Sequence, residues 1–319
     1  MKDNFGRDIN YMRISVTDRC NLRCKYCMPE AGIENLGHEH ILKFEDIERI
    51  VRAATELGIE KYRITGGEPL VRKGIVGLVE SLSAIPGVET LTMTSNGLLL
   101  PKYAESLKKA GLDRMNISLD TLNHTKYHDI TRGGDLDQAI AGINAAVKAV
   151  ITPIKLNVVA MKGFNDDEIM DFVQLTYQYD YEVRFIELMP IGNADTGRGY
   201  ELITNEEIKK KLPALKSLES TDGVAEIFKY PGARGTLGFI SPMSCQFCDH
   251  CNKIRLTADG KIKTCLHSNQ EVDLMPILKQ NDDELLKETL KNAILAKEDR
   301  HYLNEGAAPI GRDMNKIGG

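Results

Sequence analysis

Cys20, Cys24 and Cys27 fall in the run CNLRCKYCMP, with three and then two residues between successive thiols. One short loop can gather them. A cubane iron–sulfur cluster takes four cysteine ligands, and this run offers three, which leaves one iron with an open coordination position. An iron with a free site can act on what it binds, whereas a fully ligated cluster only carries electrons. The alternative is a structural zinc site with His38 or His40 as fourth ligand, although zinc sites favour paired Cys-x2–4-Cys spacing.

The seven cysteines are confined to that run and to the segment from Cys245 to Cys265. Such confinement points to metal ligation at two places, not to disulfide cross-linking. In the second run, CQFCDHCNKIRLTADGKIKTC, Cys248 and Cys251 are two residues apart. Cys265 returns after Asp259-Gly260, a hairpin dipeptide. Those three would again leave an iron open. With Cys245 added, a four-cysteine site for zinc or for a closed cluster is equally consistent with the spacing.

Several elements must position these groups. From Tyr11 to about Met189, short β-rich runs alternate with helical ones, the pattern of parallel β/α units. Strands are expected at Met12–Val16, Tyr62–Thr65, Thr90–Thr94, Met115–Leu119, Ile154–Val159 and Glu182–Leu188. Apolar stripes mark the helices between them: Ile47, Ile50, Val51 and Ala54 in one, Ile140, Ile143, Ala146 and Val147 in another. Gly58, Gly87 and Gly111 follow three of the helices, where a left-handed cap residue is expected. About six strands fall short of the eight that close a full barrel. After Met189 the period changes to glycine-punctuated β-runs over 221–264 and a helical stretch at Asp283–Ala296. The tail NEGAAPIGRDMNKIGG has neither period and should be mobile unless docked.

Strand alternation carries a second message. Met12, Ile14 and Val16 share one face; Arg13, Ser15 and Thr17 share the other. Lys61, Arg63 and Thr65 form a polar face, as do Thr92 and Thr94, then Asn116, Ser118 and Asp120, then Lys155 and Asn157. If helices cover the apolar faces, the polar ones line a wet interior; the alternative is the solvated side of an open sheet. In the sixth strand Arg184 and Met189 have opposite parity, which a bulge would reconcile. Lys253 and Arg255 alternate on the strand after the second cysteine pair. Arg13, Lys61, Arg63, Lys155 and Arg184 thus come from several strands onto one face, and buried like charges need an anion. No G-x-x-x-x-G-K-[ST] loop is present to hold phosphate.

The chain has 319 residues, 42% hydrophobic and 27% charged, with a net charge of −5 and no Trp. That fits an ordinary soluble globular protein. An anionic ligand must be held by local cations, since the global field repels it. No aromatic-and-basic patch speaks for nucleic acid. No apolar run approaches the ~18 residues of a membrane span, and no secretory signal precedes Tyr11. The cytoplasm is the expected location.

Taken together, CNLRCKYCMP, TGGEP, TSNG, NISLDT, VRFIELMPIG, the second cysteine run and the terminal Gly318-Gly319 resemble the GTP 3′,8-cyclase family of molybdenum cofactor biosynthesis. That family belongs to the radical S-adenosylmethionine (radical SAM) enzymes, and the resemblance covers nearly the whole chain. It implies an α/β fold: an incomplete (β/α)6-type barrel over 1–190 with the first iron–sulfur site, and a C-terminal α+β extension over 191–319. The extension would close the open side and carry the second site and the Gly-Gly tail. It implies two [4Fe-4S] clusters, on Cys20, Cys24 and Cys27 and on Cys248, Cys251 and Cys265, with Cys245 spare. S-adenosylmethionine would be held by Tyr26, Gly67, Glu68, Ser118 and Met189. GTP would be held by Arg13, Arg63, Thr94, Lys155, Lys253, Ile254 and Arg255. Arg13, Lys61, Arg184, Gly318 and Gly319 would serve the reaction itself.

The implied reaction begins with a 5′-deoxyadenosyl radical that removes the ribose 3′-hydrogen of GTP. The carbon radical attacks guanine C8, and reduction gives (8S)-3′,8-cyclo-7,8-dihydroguanosine 5′-triphosphate. The implied partners are an external electron donor and the next pathway enzyme, cyclic pyranopterin monophosphate synthase. A homodimer is compatible; nucleic acid and membrane are not implied. Lys253 stands where the family more often has Arg, and Asn315 where Ser is common. Two other classes are a peptide-modifying radical SAM enzyme with an auxiliary cluster, and a non-catalytic interaction protein with two structural zinc sites.

Overall fold

Every second residue of the first strand is apolar, and in the computed structural model Met12, Ile14 and Val16 are completely buried. The structure describes residues 1–32, 36–191, 200–219, 224–245, 247–302 and 311–318. Its strands are β1 (Tyr11–Ser15), β2 (Lys61–Thr65), β3 (Thr90–Ser95), β4 (Arg114–Ser118), β5 (Ile154–Lys162), β6 (Tyr181–Glu187), β7 (Glu201–Leu202), β8 (Lys216–Leu218), β9 (Glu226–Lys229), β10 (Thr236–Ile240), β11 (Lys253–Leu256), β12 (Lys261–Lys263) and β13 (Val272–Asp273). Strands β1 to β6 pair in parallel in chain order, with a helical crossover after each. Parallel neighbours need such crossovers. The six-strand incomplete barrel is therefore present.

The extension does more than cover one side. Strand β11 pairs in parallel with β1, and β10 pairs in parallel with β6. The parallel run is thus β11-β1-β2-β3-β4-β5-β6-β10, flanked by antiparallel β12 and β13 at one edge and β9 and β8 at the other, while β7 pairs with β5. Among the described residues no pairing joins the two edges, so the sheet is curved but open.

Register sets which side chains share a level. Arg13 lies beside Arg255 on one flank and Arg63 on the other, and Arg63 lies beside Thr92. Thr94, Asn116, Lys155 and Glu182 form a second level, and Ser118, Asn157 and Arg184 a third. The apolar levels, such as Met12 with Tyr62 and Ile14 with Ile64, face the helices and make the main core. No bulge is needed in β6. Its register runs unbroken from Tyr181 to Glu187, and Met189 lies beyond the strand end.

The helix at Phe44–Glu56 buries the expected stripe of Ile47, Ile50, Val51 and Ala54. The helix at Leu136–Lys148 does not: it buries Leu136, Ala139, Gly142, Ile143 and Ala146 and leaves Ile140 and Val147 exposed. Its face is turned because a Cβ on Gly142 would lie 2.0 Å from the Gly97 carbonyl oxygen. Close backbone contact with the TSNG turn selects the small residues, against the larger apolar ones. No helix among the described residues is long and apolar enough to cross a membrane.

This contact yields a signed prediction. In a free helix Gly→Ala gains about 1 kcal/mol. At position 142 the clash dominates, and overpacking costs about 1–3 kcal/mol. Gly142→Ala should therefore lower stability in urea denaturation; a higher midpoint would show that helix and turn separate at no cost.

Candidate active site: two cysteine trios joined by the C-terminal tail

The first trio sits in the loop after β1, and the TGGEP turn after β2 fixes that loop by backbone bonds. Gly67 N donates to Thr17 O at 2.7 Å and Glu68 N to Arg19 O at 2.8 Å. A Cβ on Gly66 would lie 2.6 Å from Thr17 O, and one on Gly67 2.3 Å from Arg19 O. The two glycines let one chain segment pack on another. Glu68 is buried, and its carboxylate accepts from Leu70 N, Ser95 Oγ and Asn96 N at 2.8–3.0 Å. Burial pushes its pKa up to about 7. These bonds tie TGGEP to TSNG, and Asn96 Nδ2 reaches Asn21 Oδ1 at 2.8 Å and Cys20 Sγ at 3.9 Å.

Within the cysteine loop a turn brings Cys27 N and Met28 N onto Cys24 O. Burial pushes the Cys20 thiol up to about 11, with the charge of Glu68 adding to it, and Cys27 up to about 12, with the charge of Cys20 adding to it; Cys24 is raised well above the usual thiol range by burial and by the charges of Cys27, Asp120 and Cys20. The bare thiols are thus held protonated, so loading iron there must release protons. Tyr26 donates its hydroxyl to Asp120 Oδ2 at 2.6 Å, while Asp120 Oδ1 accepts from Val159 N. Burial lifts Asp120 to about 6.

At the second trio, Cys248 begins a one-turn 3-10 segment, Cys251 follows it, and Cys265 lies just beyond β12. Burial raises Cys248, partly offset by the backbone N–H of His301. Burial also acts to raise Cys251, yet the charges of Lys297, Lys253 and Arg7 and the backbone N–H of Lys253 outweigh it, and its pKa is lowered. His267 N donates to Cys265 Sγ at 3.4 Å. Cys245 is exposed. Among the described residues no three His, Cys, Asp or Glu side chains converge closely enough to hold a single ion. His40 is exposed and lies 3.6 Å from Glu39, and the side chain of His38 lies outside the described residues.

The sheet's polar face joins the two trios. Arg63 and Lys253 both lie over the Tyr11 ring, at 5.4 and 5.1 Å. Arg63 Nε donates to Thr92 Oγ1 at 3.2 Å. Arg255 is buried, and desolvation first, then the charge of Arg13, pulls it down to about 9; the charges of Cys265 and Cys251 act the other way. Its Nη1 donates to Gly318 O at 2.6 Å. A Cβ on Gly318 would lie 2.9 Å from Thr65 Cγ2 and 3.0 Å from Ser15 Cβ. On the same tail helix, Met314–Ile317, the backbone of Asn315 bonds the Cys27 thiol, and Asn315 Nδ2 donates to Asp18 O at 2.8 Å. The tail therefore bonds the first trio through Cys27 and lies against Arg255, which feels the thiols of the second. Gly319 lies outside the described residues.

Some expected site residues are arranged differently from their strand-face reading. Lys155 Nζ lies 3.0 Å from Glu182, and Arg184 Nε pairs with the same carboxylate. Glu182 is therefore part of the lining, and its two-residue spacing from Arg184 was the available signal. Lys61 is half exposed at the rim, 3.4 Å from Glu60. Lys263 lies opposite Arg255 in register, is 1% exposed, and donates to Ser268 O at 2.5 Å. Met189 packs against Ile191 and Ile317, under the tail helix. Thr94 and Ser118 sit on the polar face, and Ile254, fully buried, faces the helices beside Met12.

The tail's anchor was not legible as such. Arg312 makes a forked contact with Asp259, at 2.9 and 2.8 Å, and donates to Glu271 at 2.7 Å. This places the tail on the hairpin between β11 and β12. Buried polar atoms without a protein partner include Arg13 Nε, Asn116 Nδ2, Asn157 Oδ1 and Asn315 Oδ1. Such atoms call for a ligand or water, and the first three belong to the polar levels of the sheet.

Comparison with known proteins agrees with this geometry. The Radical SAM superfamily matches residues 14–176, and the family described as Molybdenum Cofactor Synthesis C matches residues 181–303. The chain is 51% identical over 322 residues, all of both chains, to a GTP 3′,8-cyclase of Alkaliphilus metalliredigens. It is 51% identical to one from Peptoclostridium acidaminophilum, covering 99% of this chain and 98% of that protein. Among solved structures, Streptococcus suis SuiB bound to S-adenosylmethionine shares the fold, with TM-score 0.67 at 15% identity over 97% of this chain and 77% of that one. The hydrogenase maturase HydG aligns with TM-score 0.52 at 16% identity, over 64% of this chain and 48% of that one.

Arg312→Gln should free the tail without unfolding the protein, since partly exposed ion pairs contribute about 1 kcal/mol or less. Amide exchange over Gly311–Gly318 should rise by up to about fivefold, while the denaturation midpoint barely moves. Burial acts to raise Asp259, but Arg312 outweighs it and the carboxyl is held low. A depressed carboxylate stabilises above its unfolded value and loses that contribution only as pH falls through its folded value. Tail protection should therefore stay constant from about pH 8 to about pH 5. Loss of protection near neutrality would reject the clamp.

Proposed function

The chain belongs to the GTP 3′,8-cyclase family of radical SAM enzymes, and we propose that its own reaction joins C3′ to C8 within one GTP molecule held between the two cysteine trios. The observation that carries this reading is the buried Arg255, whose guanidinium bonds the tail at Gly318 and feels the thiols of the second trio. On this reading one space serves both trios.

Cys20, Cys24 and Cys27 would hold the first [4Fe-4S] cluster, and Cys248, Cys251 and Cys265 the second, each leaving an iron open for a ligand. When bound, the first cluster and S-adenosylmethionine supply the hydrogen-abstracting radical chemistry. The methionine end of that cofactor would lie along Tyr26, the Gly67 backbone, Ser118 and Met189. Glu68 would act on it through the turns it clamps, because its oxygens already accept three protein bonds. The orphaned Asn157 Oδ1, level with Ser118 and Arg184, offers an acceptor there.

Arg13, Arg63 and Arg255 form one cationic level, and Lys253, level with Tyr11 and Lys61, stands next to it; together they suit the triphosphate, where guanidinium–phosphate contacts are charge-assisted. Lys253 supplies a point charge instead of a fork. Thr94 and Lys155 would complete the nucleotide contacts, while Ile254, buried on the helix side, supports them by holding β11 against β1. Glu182 tempers the charge of Lys155 and Arg184, which keeps that wall polar without making it another polyanion site. Lys61 guards the rim. Gly318, and Gly319 after it, would enter beside substrate because Ser15 and Thr65 leave no room for a side chain. Fixing both reacting carbons in one pose makes the ring closure a proximity effect.

We place the barrel with the first site in 1–190 and the second site with the tail in 191–319, within one continuous sheet. The reading extends to a cytoplasmic enzyme that takes electrons from an external donor. It would pass product to cyclic pyranopterin monophosphate synthase, and a homodimer is compatible with it.

GTP deuterated at the 3′ carbon, incubated anaerobically with S-adenosylmethionine and a reductant, should give deuterated 5′-deoxyadenosine. Unlabelled 5′-deoxyadenosine would remove the proposed abstraction. Replacing Cys248, Cys251 and Cys265 by Ala should halve the iron per chain, whereas Cys245→Ala should leave it unchanged. Equal loss on removing Cys245 would mean that the ligand set is wrong.

A further inference from the structure

Lys297 is used by none of these steps, yet it is a buried charge beside the second trio. It follows the helix Asp283–Leu295 and is 3% exposed. Its Nζ donates to the carbonyl of Lys253 at 3.1 Å and to that of Thr264. Lys253 comes two residues after Cys251, and Thr264 directly precedes Cys265. The ammonium thus bonds the backbone on both sides of the metal-binding hairpin.

Two carbonyl dipoles do not cancel a full charge, and a buried ion needs an opposite one. No carboxylate pairs with Lys297 among the described residues, whereas Arg7 and Lys263 nearby each have one. Arg7 lies 2.6 Å from Asp3, and Lys263 lies 3.4 Å from Glu271. The groups on which Lys297 acts are thiols. Its charge is the largest of the cationic influences on Cys251, and it also lowers Cys248. The first trio sits in the opposite field, where the charges of Glu68, Asp120 and Asp313 add to those of the thiols. Three thiolates leave a cubane with net negative charge, and local charge is among the factors that set its potential.

We propose that Lys297 is the built-in counter-ion of the second iron–sulfur site, holding that site's reduction potential higher than three thiolates alone would, and lowering the repulsion an incoming triphosphate meets there. The inference rests on the two-cluster reading and extends it to a residue that touches neither substrate nor iron. Lys297 is thus a positioning and tuning residue, acting through the hairpin and through its field.

The test uses the full chain, anaerobically reconstituted, as wild type, Lys297→Met and Lys297→Arg. Redox titration is followed by electron paramagnetic resonance, with the Cys248/Cys251/Cys265→Ala protein identifying the first site's signal. In Lys297→Met the second site should become harder to reduce by at least tenfold in its equilibrium, about 59 mV for one electron. The first site should be unchanged, and Lys297→Arg should stay within threefold of wild type. An unshifted second site, or equal shifts at both sites, overturns the proposal. Iron for a single cluster in Lys297→Met with two in Lys297→Arg supports it; loss of the second cluster from both variants overturns it, since shape and not charge would then be the requirement. A wild-type protein showing a single cluster would instead remove the two-cluster reading, and this proposal with it.

Discussion

Arg255 is buried with its charge close to that of Arg13, and its guanidinium donates to the carbonyl of Gly318. Desolvation and a like neighbour both act against a buried cation. That arrangement persists when negative charge is supplied nearby. The thiols of the second trio supply part, and the tail carbonyl satisfies one donor. A polyphosphate would supply the rest. Strand β11, the tail and the second trio are therefore mutually dependent: each gives Arg255 what the others lack. On the proposed reading a phosphate-binding glycine loop is unnecessary, because cations projected from paired strands would perform the same task.

The sheet makes this possible by separating its two faces. Helices cover one face with a continuous apolar core, which includes Met12, Ile14, Tyr62, Ile64 and Met93. The other face can then carry arginine, lysine, asparagine and threonine at successive levels. Because the strands are parallel and in register, residues at one level come from different parts of the chain yet lie side by side. Glu182 divides that face into two electrostatic regions. Lys155 and Arg184 share the one carboxylate of Glu182, while among the described residues the register level of Arg255, Arg13 and Arg63 carries no carboxylate. A nucleotide is correspondingly uneven, with a charged end and a neutral one.

The cysteine loops are held by other means. Backbone packing of Gly66 and Gly67 against Thr17 and Arg19 positions the first, and the carboxylate of Glu68 fastens the adjoining turns. The second rests on a hairpin clamped by Arg312 on one side and bonded by Lys297 on the other. Three of the thiols stand among acidic groups and three near cations. The Asn315 contact with the Cys27 thiol also links the tail to the first site, so the tail touches the first trio at one point and Arg255 at another.

Local order along the chain determined much of this protein. The cysteine spacings, the alternation of Arg13 with Met12 and Ile14, the glycine stops after helices and the β/α rhythm all depend on neighbours a few residues apart, and all appear in the structure. Tertiary contact decided the remainder. Ile140 and Val147 lie outside because Gly142 must meet Gly97. Glycine occurs in TGGEP because a neighbouring chain segment passes close by, not only because a ligand does. Strands β10 and β11 extend both edges of the sheet, and Arg312 finds Asp259 across 53 residues. Periodicity fixes which way a side chain points; it carries no information about what stands opposite, since that depends on which distant segments the whole fold brings together.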